Sequence, residues 1–322
     1  VRKDWLDRLG MDVPTTYDEF IEMLTRFKNE IPECTAPYTA PGLKSTQALP
    51  EFYQGATADY VKVDGKWVDG MAQDNMLTAL QNLQDAYTAG LIDQEAITNT
   101  TSSCRDEWYA GTVGCFPYWG GLWGETLTVR LKQNVPDAEV IALPPIEGAT
   151  YLYSAPSVQV ISSKLSDEQV ASVYKYFIEY MHDGGEGQVL FQSGVEGVHW
   201  QQSGNNIDPL PTISKPAEAF RKAWITPWLA LTPMTATDKN VEVSQEVTDS
   251  LAVVSANAKN ISVFPVSEQR TMITSDLTTT RENIISRVAM GQLTPEEGMA
   301  EYKAQAETLN VAQALEEMNA NA

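Results

Sequence analysis

Three aromatic residues flank a pair of glycines near the middle of the chain. Tyr118, Trp119 and Trp123 bracket Gly120-Gly121, directly after the apolar run 113–117. Glycine lets a backbone pass close to a ligand, and flat rings beside it offer stacking faces. Sugars present a C–H face to such rings and hydroxyl groups to nearby carboxylates and amides. We therefore predict that these three residues line a pocket, with burial of the tryptophans in a core as the alternative.

Histidines and carboxylates are the residues that could support catalysis. The chain has two histidines, His182 and His199, so a Ser-His-Asp or Cys-His site would depend on one of them. His182 ends a helical segment, where a cap or surface role is favoured, whereas His199 beside Trp200 is a pocket candidate. G-x-S-x-G, P-loop and G-x-G-x-x-G motifs are absent. With 43 acidic residues, a glycosidase carboxylate pair stays an alternative that the sequence does not localise.

The chain contains three cysteines, Cys34, Cys104 and Cys115, too few for a disulfide framework. Buried thiols are the favoured interpretation, and a bond between Cys104 and Cys115 is the alternative. Zinc-type Cys/His spacing and calcium-loop spacing are both absent. The sequence therefore predicts no metal site and no cofactor.

Helices and short apolar strands alternate along the chain. Helix starts are predicted at Thr16, Ser166 and Thr294, each followed three residues later by Glu or Gln, and a further helix is predicted before Gly90. In the helix after Ser166, the residues expected to be buried are Val170, Val173, Tyr174, Phe177 and Met181.

Strands are predicted over 113–119, 139–143 and 158–161, and over 60–68 as a hairpin about Asp64-Gly65. This alternation favours an α/β architecture, and the Pro- and Gly-rich stretch 144–155 is the best candidate for a connection between lobes.

Length and charge narrow the functional classes. The chain has 322 residues, 43% hydrophobic, and a net charge of −21. It is long enough for one large domain or two lobes, and too apolar for global disorder. Without basic runs it is not expected to bind nucleic acid, and its charge disfavours attraction to anionic lipids. No run of 18 apolar residues predicts a membrane span.

Short segments stand in a family-like order along nearly the whole chain. They are RKDWLDRLG (2–10), VPTTYDEF (13–20), DGKWV (64–68), AGLID (89–93), GTVG (111–114) leading into YWG (118–120), LPPIEG (143–148), EGQ (186–188) and GVEGVHW (194–200). Their order and spacing resemble the family 1 extracellular solute-binding proteins of ABC importers. The likeness is greatest to the lipoprotein branch for oligosaccharide and polysaccharide uptake, related to maltose-binding protein.

The resemblance implies a two-lobed, type II periplasmic-binding-protein-like α/β fold. Residues 1–145 would belong to the second lobe, 146–198 would cross to the first lobe, and 199–322 would complete the second. In this family the helix after Pro14 follows roughly the first third of the protein. We therefore expect an N-terminally incomplete chain with its first lobe largely missing, and a lipid-anchoring cysteine upstream of Val1. The middle segment is then expected to expose an apolar edge.

The resemblance also assigns ligand-contacting residues by position. Nine residues are expected at the site: Trp119, Tyr118, Trp123, Tyr38, Phe52, Tyr53, Glu196, His199 and Trp200. Trp119 matches an aromatic residue that stacks on sugar, with Tyr118 and Trp123 beside it. The stretch 38–53 matches another cleft-lining segment, and 196–200 lies near the hinge. Trp224 and Trp228 are weaker pocket candidates from their polar surroundings.

The expected function is therefore non-catalytic. The protein would capture an oligosaccharide and deliver it to an ABC-transporter permease, as a lipid-anchored monomer at the extracellular face of the membrane or in the periplasm. Two alternatives stay open at this point: a secreted glycoside hydrolase, and a binding protein for a non-sugar solute such as a peptide.

Overall fold

The computed structural model describes residues 1–44, 47–153, 159–210, 234–240, 243–260 and 263–322. The chain divides into two compact units. Unit 1 comprises Val1–Ala155 and Gln245–Ala322, and unit 2 comprises Pro156–Ser244. This division differs from the predicted boundary at 198/199, because Trp200 and Ile207 pack with Val189 in the small core of unit 2.

Helices dominate the described residues. Their bounds are α1 Lys3–Leu9, α2 Tyr17–Glu30, α3 Pro50–Tyr53, α4 Asn75–Thr88, α5 Thr101–Ala110, α6 Leu122–Asn134, α7 Asp167–Val173, α8 Glu186–Ser193, α9 Gln245–Asn257, α10 Glu268–Ala289, α11 Pro295–Thr308 and α12 Val311–Ala320. A π-helical turn, Tyr174–Glu179, continues α7. Within the described ranges, every helix is too short or too polar to cross a lipid bilayer.

The predicted helix starts are confirmed, and each has a local cause. Thr16, Ser166 and Thr294 cap α2, α7 and α11. In each case the side-chain oxygen of the cap residue accepts a hydrogen bond from the backbone N–H of the residue three positions later. The side chain of that later residue accepts a hydrogen bond from the backbone N–H of the cap residue. The predicted helix before Gly90 is α4, and Gly90 lies just beyond its end with φ +66°.

Short strands pair two by two. They are β1 Ala36–Tyr38, β2 Tyr60–Val63, β3 Lys66–Asp69, β4 Val113–Cys115, β5 Leu152–Tyr153, β6 Trp200–Ser203, β7 Asn206–Pro209 and β8 Lys259–Asn260. The pairs β1–β4 and β5–β8 are parallel, and β2–β3 and β6–β7 are antiparallel. The predicted hairpin is confirmed as β2–β3, since Asp64 and Gly65 both adopt the positive φ of a tight hairpin turn (51° and 79°).

Three predicted strands are not formed as expected. The run 113–119 is a strand only as far as Cys115. Residues 139–143 contribute a single antiparallel bridge, between Val140 and Arg2. Residues 159–161 do not pair with another strand, and Val158, the first residue of this prediction, lies outside the described residues.

The core of unit 1 joins distant parts of the sequence. Aromatic and aliphatic residues of α1, α2, α3 and α4 pack there against the C-terminal helices α10, α11 and α12. Trp5 meets Phe27 edge to face at 5.3 Å, and Trp67 meets Phe264 at 5.4 Å. Both tryptophans therefore serve packing.

The apolar face expected to be buried in the helix after Ser166 is exposed. Met181 is buried there, whereas Tyr174 is 56% and Tyr176 69% exposed. We call this surface the unit 2 aromatic patch: Val173, Tyr174, Tyr176, Phe177, Tyr180 and Leu190. No described element covers it, and the π-helical turn shifts the helical periodicity within it. The apolar surface expected on the middle segment is thus present on a helix rather than a strand edge.

Replacing Tyr174 and Tyr176 together with serine is expected to reduce fluorescence of the dye ANS, which reports exposed apolar surface. Both rings are largely exposed, so the free energy of unfolding should change by no more than about 0.5 kcal/mol per residue. Tyr153→Ser is the control, because Tyr153 is exposed on β5, outside the patch. Equal ANS fluorescence in the double variant and the parent would contradict this assignment.

Candidate functional site

The Gly120-Gly121 turn is held against helix α9. Gly121 precedes α6 with φ +69° and ψ −129°, a conformation that favours glycine. Its N–H donates to Ser250 Oγ at 2.8 Å, and that hydroxyl donates to the Val247 carbonyl at 3.0 Å. A Cβ atom on Gly120 would lie 3.0 Å from Val254. The glycines therefore permit both the turn and the close approach of α9.

Aromatic rings lead from the small core under α5 and α6 to this turn. Trp108 and Phe116 are buried, and Phe116 lies 5.0 Å from the Tyr118 ring. Tyr118 in turn meets Trp123 edge to face at 5.0 Å. Trp119 differs from these rings because it is 57% exposed. The structure thus places Tyr118 and Trp123 partly buried together and leaves the Trp119 indole open to solvent.

Arg105 joins this group, although the sequence did not indicate it. Its guanidinium carbon lies 5.2 Å from the Trp123 ring centroid and 5.9 Å from that of Tyr118. Packing of α5 against α6 brings the three side chains together. No spacing rule links an arginine on one helix to rings after the next strand. We call Arg105, Tyr118, Trp119, Trp123 and the Gly120-Gly121 turn the aromatic site.

The residues predicted from the stretch 38–53 lie elsewhere. Tyr38, Phe52 and Tyr53 are buried in the core of unit 1, and the Tyr38 and Phe52 rings meet edge to face at 5.1 Å. The Tyr53 hydroxyl lies 2.8 Å from the backbone carbonyl oxygens of both Leu43 and Lys44, either of which can accept its proton. With no ring surface exposed, these three residues pack the core rather than contact a ligand.

The predicted residues near the hinge form a local cluster in unit 2. Trp200 is buried, and its indole N–H donates to the Gly194 carbonyl at 3.0 Å. His199 Nδ1 accepts the Val195 N–H at 2.9 Å, while Glu196 is exposed. Trp200 therefore packs the unit 2 core, and His199 is hydrogen-bonded to a neighbouring backbone N–H of the same unit. Trp224 and Trp228 lie outside the described residues.

One carboxylate pair comes together in unit 1. Thr39 Oγ1 lies 3.1 Å from Asp93 Oδ2 and 2.8 Å from Glu107 Oε2, and Asn99 donates to Asp93 at 2.5 Å. Partial burial, together with the neighbouring charge of Asp93, raises the pKa of Glu107. Both carboxylates of the pair therefore contact polar neighbours. The described residues contain no group of three His, Cys, Asp or Glu side chains that could hold a metal ion.

The cysteines are free thiols, so the alternative bond between Cys104 and Cys115 is not formed. Cys104 and Cys115 are buried, and Cys34 is half-buried. Burial raises the pKa of Cys115 to about 12 and that of Cys104 to about 11. Thiols this weakly acidic are poor nucleophiles, which favours a packing role for both.

Comparisons of sequence identify relatives of the chain. The profile described as bacterial extracellular solute-binding protein matches residues 1–181, more than half of the chain. Lipoprotein LipO of Bacillus subtilis (strain 168) is 22% identical over 218 residues. That match covers 62% of this chain and 43% of LipO, so the chain aligns with less than half of this curated relative.

Solved structures share the fold. Alginate-binding protein AlgQ2 superposes with a TM-score of 0.69 at 17% identity, covering 100% of this chain and 70% of that one. The S. pneumoniae substrate-binding protein FusA, solved with kestose, gives 0.64 at 17% identity, covering 99% and 70%. A human-milk-oligosaccharide (HMO) binding protein of Bifidobacterium longum infantis gives 0.65 at 16%, covering 99% and 72%. The fold is thus the α/β fold of type II periplasmic-binding proteins, and the chain belongs to the bacterial extracellular solute-binding protein family.

Proposed function

We propose that this protein captures an oligosaccharide outside the cytoplasm and delivers it to an ABC-transporter permease, without catalysing a reaction. The observation that carries the proposal is the exposed indole of Trp119 beside a Gly-Gly turn fixed by α9. Membership in the solute-binding family supports capture of a solute. The carbohydrate ligands named for AlgQ2 and FusA favour a saccharide as that solute.

Binding at the aromatic site would combine apolar and polar contacts. The open face of Trp119 can stack on the C–H face of a sugar ring and remove both surfaces from water. Ring contacts among Phe116, Tyr118 and Trp123 fix the base of the loop, so little conformational entropy is lost on binding. Likeness to a lipoprotein supports placement by a lipid anchor at the extracellular face of the membrane or in the periplasm, where we propose that the protein acts as a monomer.

Replacing Trp119 with alanine is expected to weaken binding of the recognised oligosaccharide about tenfold or more, because a stacking surface is lost. Isothermal titration calorimetry against a glycan panel measures the affinity directly. Trp119→Phe is the matched control, since it keeps an aromatic face and should retain most of the affinity. The Tm of both variants should stay close to that of the parent, because the side chain is largely exposed.

Other outcomes separate the competing functions. Unchanged glycan affinity in Trp119→Ala would remove Trp119 from the site. Turnover of chromogenic glycosides would replace the binding function with hydrolysis. Binding of peptides, with no glycan of the panel recognised, would assign a non-sugar solute.

A further inference from the structure

We propose that Arg105 makes the aromatic site selective for acidic oligosaccharides, by binding a carboxylate of a uronic-acid residue. This inference rests on the proposed function, because it names the class of glycan that the same site takes.

The guanidinium lies against aromatic rings rather than against an acid. It stands 5.2 Å from the Trp123 ring centroid and 5.9 Å from that of Tyr118, and Nη2 donates to Ser102 Oγ at 2.9 Å. Five other arginines of the described residues form ion pairs: Arg2, Arg8, Arg26, Arg281 and Arg287. Arg105, like Arg130 and Arg270, has no such pair within the ranges that the structure describes, in a chain with 43 acidic residues.

The contacts of Arg105 leave donors available for a ligand. A guanidinium carries five N–H donors in one plane, and the contact with Ser102 uses one of them. Aromatic rings contact the guanidinium through cation–π attraction without consuming N–H donors. The Trp123 and Tyr118 rings and Ser102 together restrict the Arg105 side chain. Its planar guanidinium can therefore bind a ligand with little further loss of side-chain entropy. A carboxylate matches that fork with two parallel hydrogen bonds.

The surroundings favour an anion at this place. Arg105 and Arg130 both act on the phenol of Tyr109 to lower its pKa, and Asp106 is the acid that acts on it in the opposite sense, so positive charges outnumber negative ones around this ring. Partial burial against Trp123 and Tyr118 lowers the local dielectric and strengthens an ion pair relative to one in open solvent. The exposed Trp119 supplies the apolar contact to a sugar ring in the same site. A glycan with both a C–H face and a carboxylate uses all of these groups.

The test compares acidic glycans with their neutral counterparts. The probes are oligogalacturonate and oligoalginate, each compared with its methyl ester. For at least one pair, the parent protein is expected to bind the acid about tenfold more tightly than its neutral partner. Raising the salt concentration should reduce the difference in affinity between acid and neutral partner, because the ion pair between Arg105 and the carboxylate includes a solvent-accessible charge.

Two variants identify the residue responsible. Arg105→Met keeps an unbranched apolar stem on the rings and removes the charge, so the acid should lose about tenfold more affinity than its neutral partner, and the Tm should stay close to that of the parent. Arg105→Lys should retain part of the preference, because it keeps the charge but loses the fork. Trp119→Ala should weaken binding of acid and neutral partner by a similar factor.

The outcomes distinguish this inference from the function on which it rests. Binding of glycans through Trp119 with no acidic preference, or with a preference that survives in Arg105→Met, would overturn the role of Arg105 and leave oligosaccharide capture standing. Failure of every glycan to bind the parent protein would overturn oligosaccharide capture and the acidic selectivity with it.

Discussion

Replacing Asp69 with alanine is expected to lower the free energy of unfolding of unit 1 by about 3–5 kcal/mol. Asp69, at the end of β3, accepts from Arg281 Nη2 at 2.7 Å and from the Tyr302 hydroxyl at 2.6 Å. All three side chains are buried, so the variant leaves a guanidinium and a hydroxyl without their acceptor. Urea unfolding followed by far-ultraviolet circular dichroism measures the loss.

The matched control uses the other acid near the same arginine. Asp59 lies 3.4 Å from Arg281 Nη1, but its side chain is 60% exposed. Asp59→Asn should therefore cost less than about 1 kcal/mol. The double variant Asp69→Leu with Arg281→Met removes both charges and should recover much of the stability lost in Asp69→Ala. An unfolding free energy in Asp69→Ala within 1 kcal/mol of the parent would show that Arg281 is not dependent on Asp69.

Elements with local causes were predictable from the sequence. The cap at Thr16 and the turn at Asp64-Gly65 are set by residues within three positions of each other, so neighbouring side chains determine them without tertiary help. The strand over 113–119 was predicted from an apolar run that ends at a Gly-Gly turn, and the structure forms only its first part, Val113–Cys115.

Features set by tertiary packing were not predictable. The stretch 38–53 has the aromatic content of either a pocket or a core, and only the fold shows Tyr38 and Phe52 buried face to edge. The stripe through Tyr174 is apolar at helical spacing, but spacing does not say whether another element covers it. Arg105 reaches Trp123 through helix packing over 18 positions, a contact without a sequence signal.

A buried carboxyl in the core of unit 1 is the second place where a large effect on stability is expected. Glu51 is buried on α3, and its two oxygens lie 3.0 Å from the Tyr38 hydroxyl and 2.9 Å from the Tyr151 hydroxyl. Burial raises the pKa of Glu51 above its ordinary value of 4.5. The Tyr38 hydroxyl also has the Ala48 carbonyl within 2.9 Å. A protonated Glu51 can therefore donate to Tyr38, accept from Tyr151 and leave the Tyr38 proton for Ala48.

Glutamine reproduces that protonated arrangement, whereas alanine destroys it. Glu51→Ala leaves a cavity and an unsatisfied Tyr151 hydroxyl, so we expect it to lower the free energy of unfolding by about 2–4 kcal/mol at neutral pH. In the parent, the folded state binds the Glu51 proton more tightly than the unfolded state, so this group makes stability fall as pH rises above 4.5 through its raised pKa. Glu51→Gln lacks that titration, so its stability relative to the parent should increase across this window. Urea unfolding at several pH values measures the difference in free energy of unfolding between Glu51→Gln and the parent. If Glu51→Gln instead loses stability relative to the parent as the pH rises, the two tyrosines stabilise the charged carboxylate.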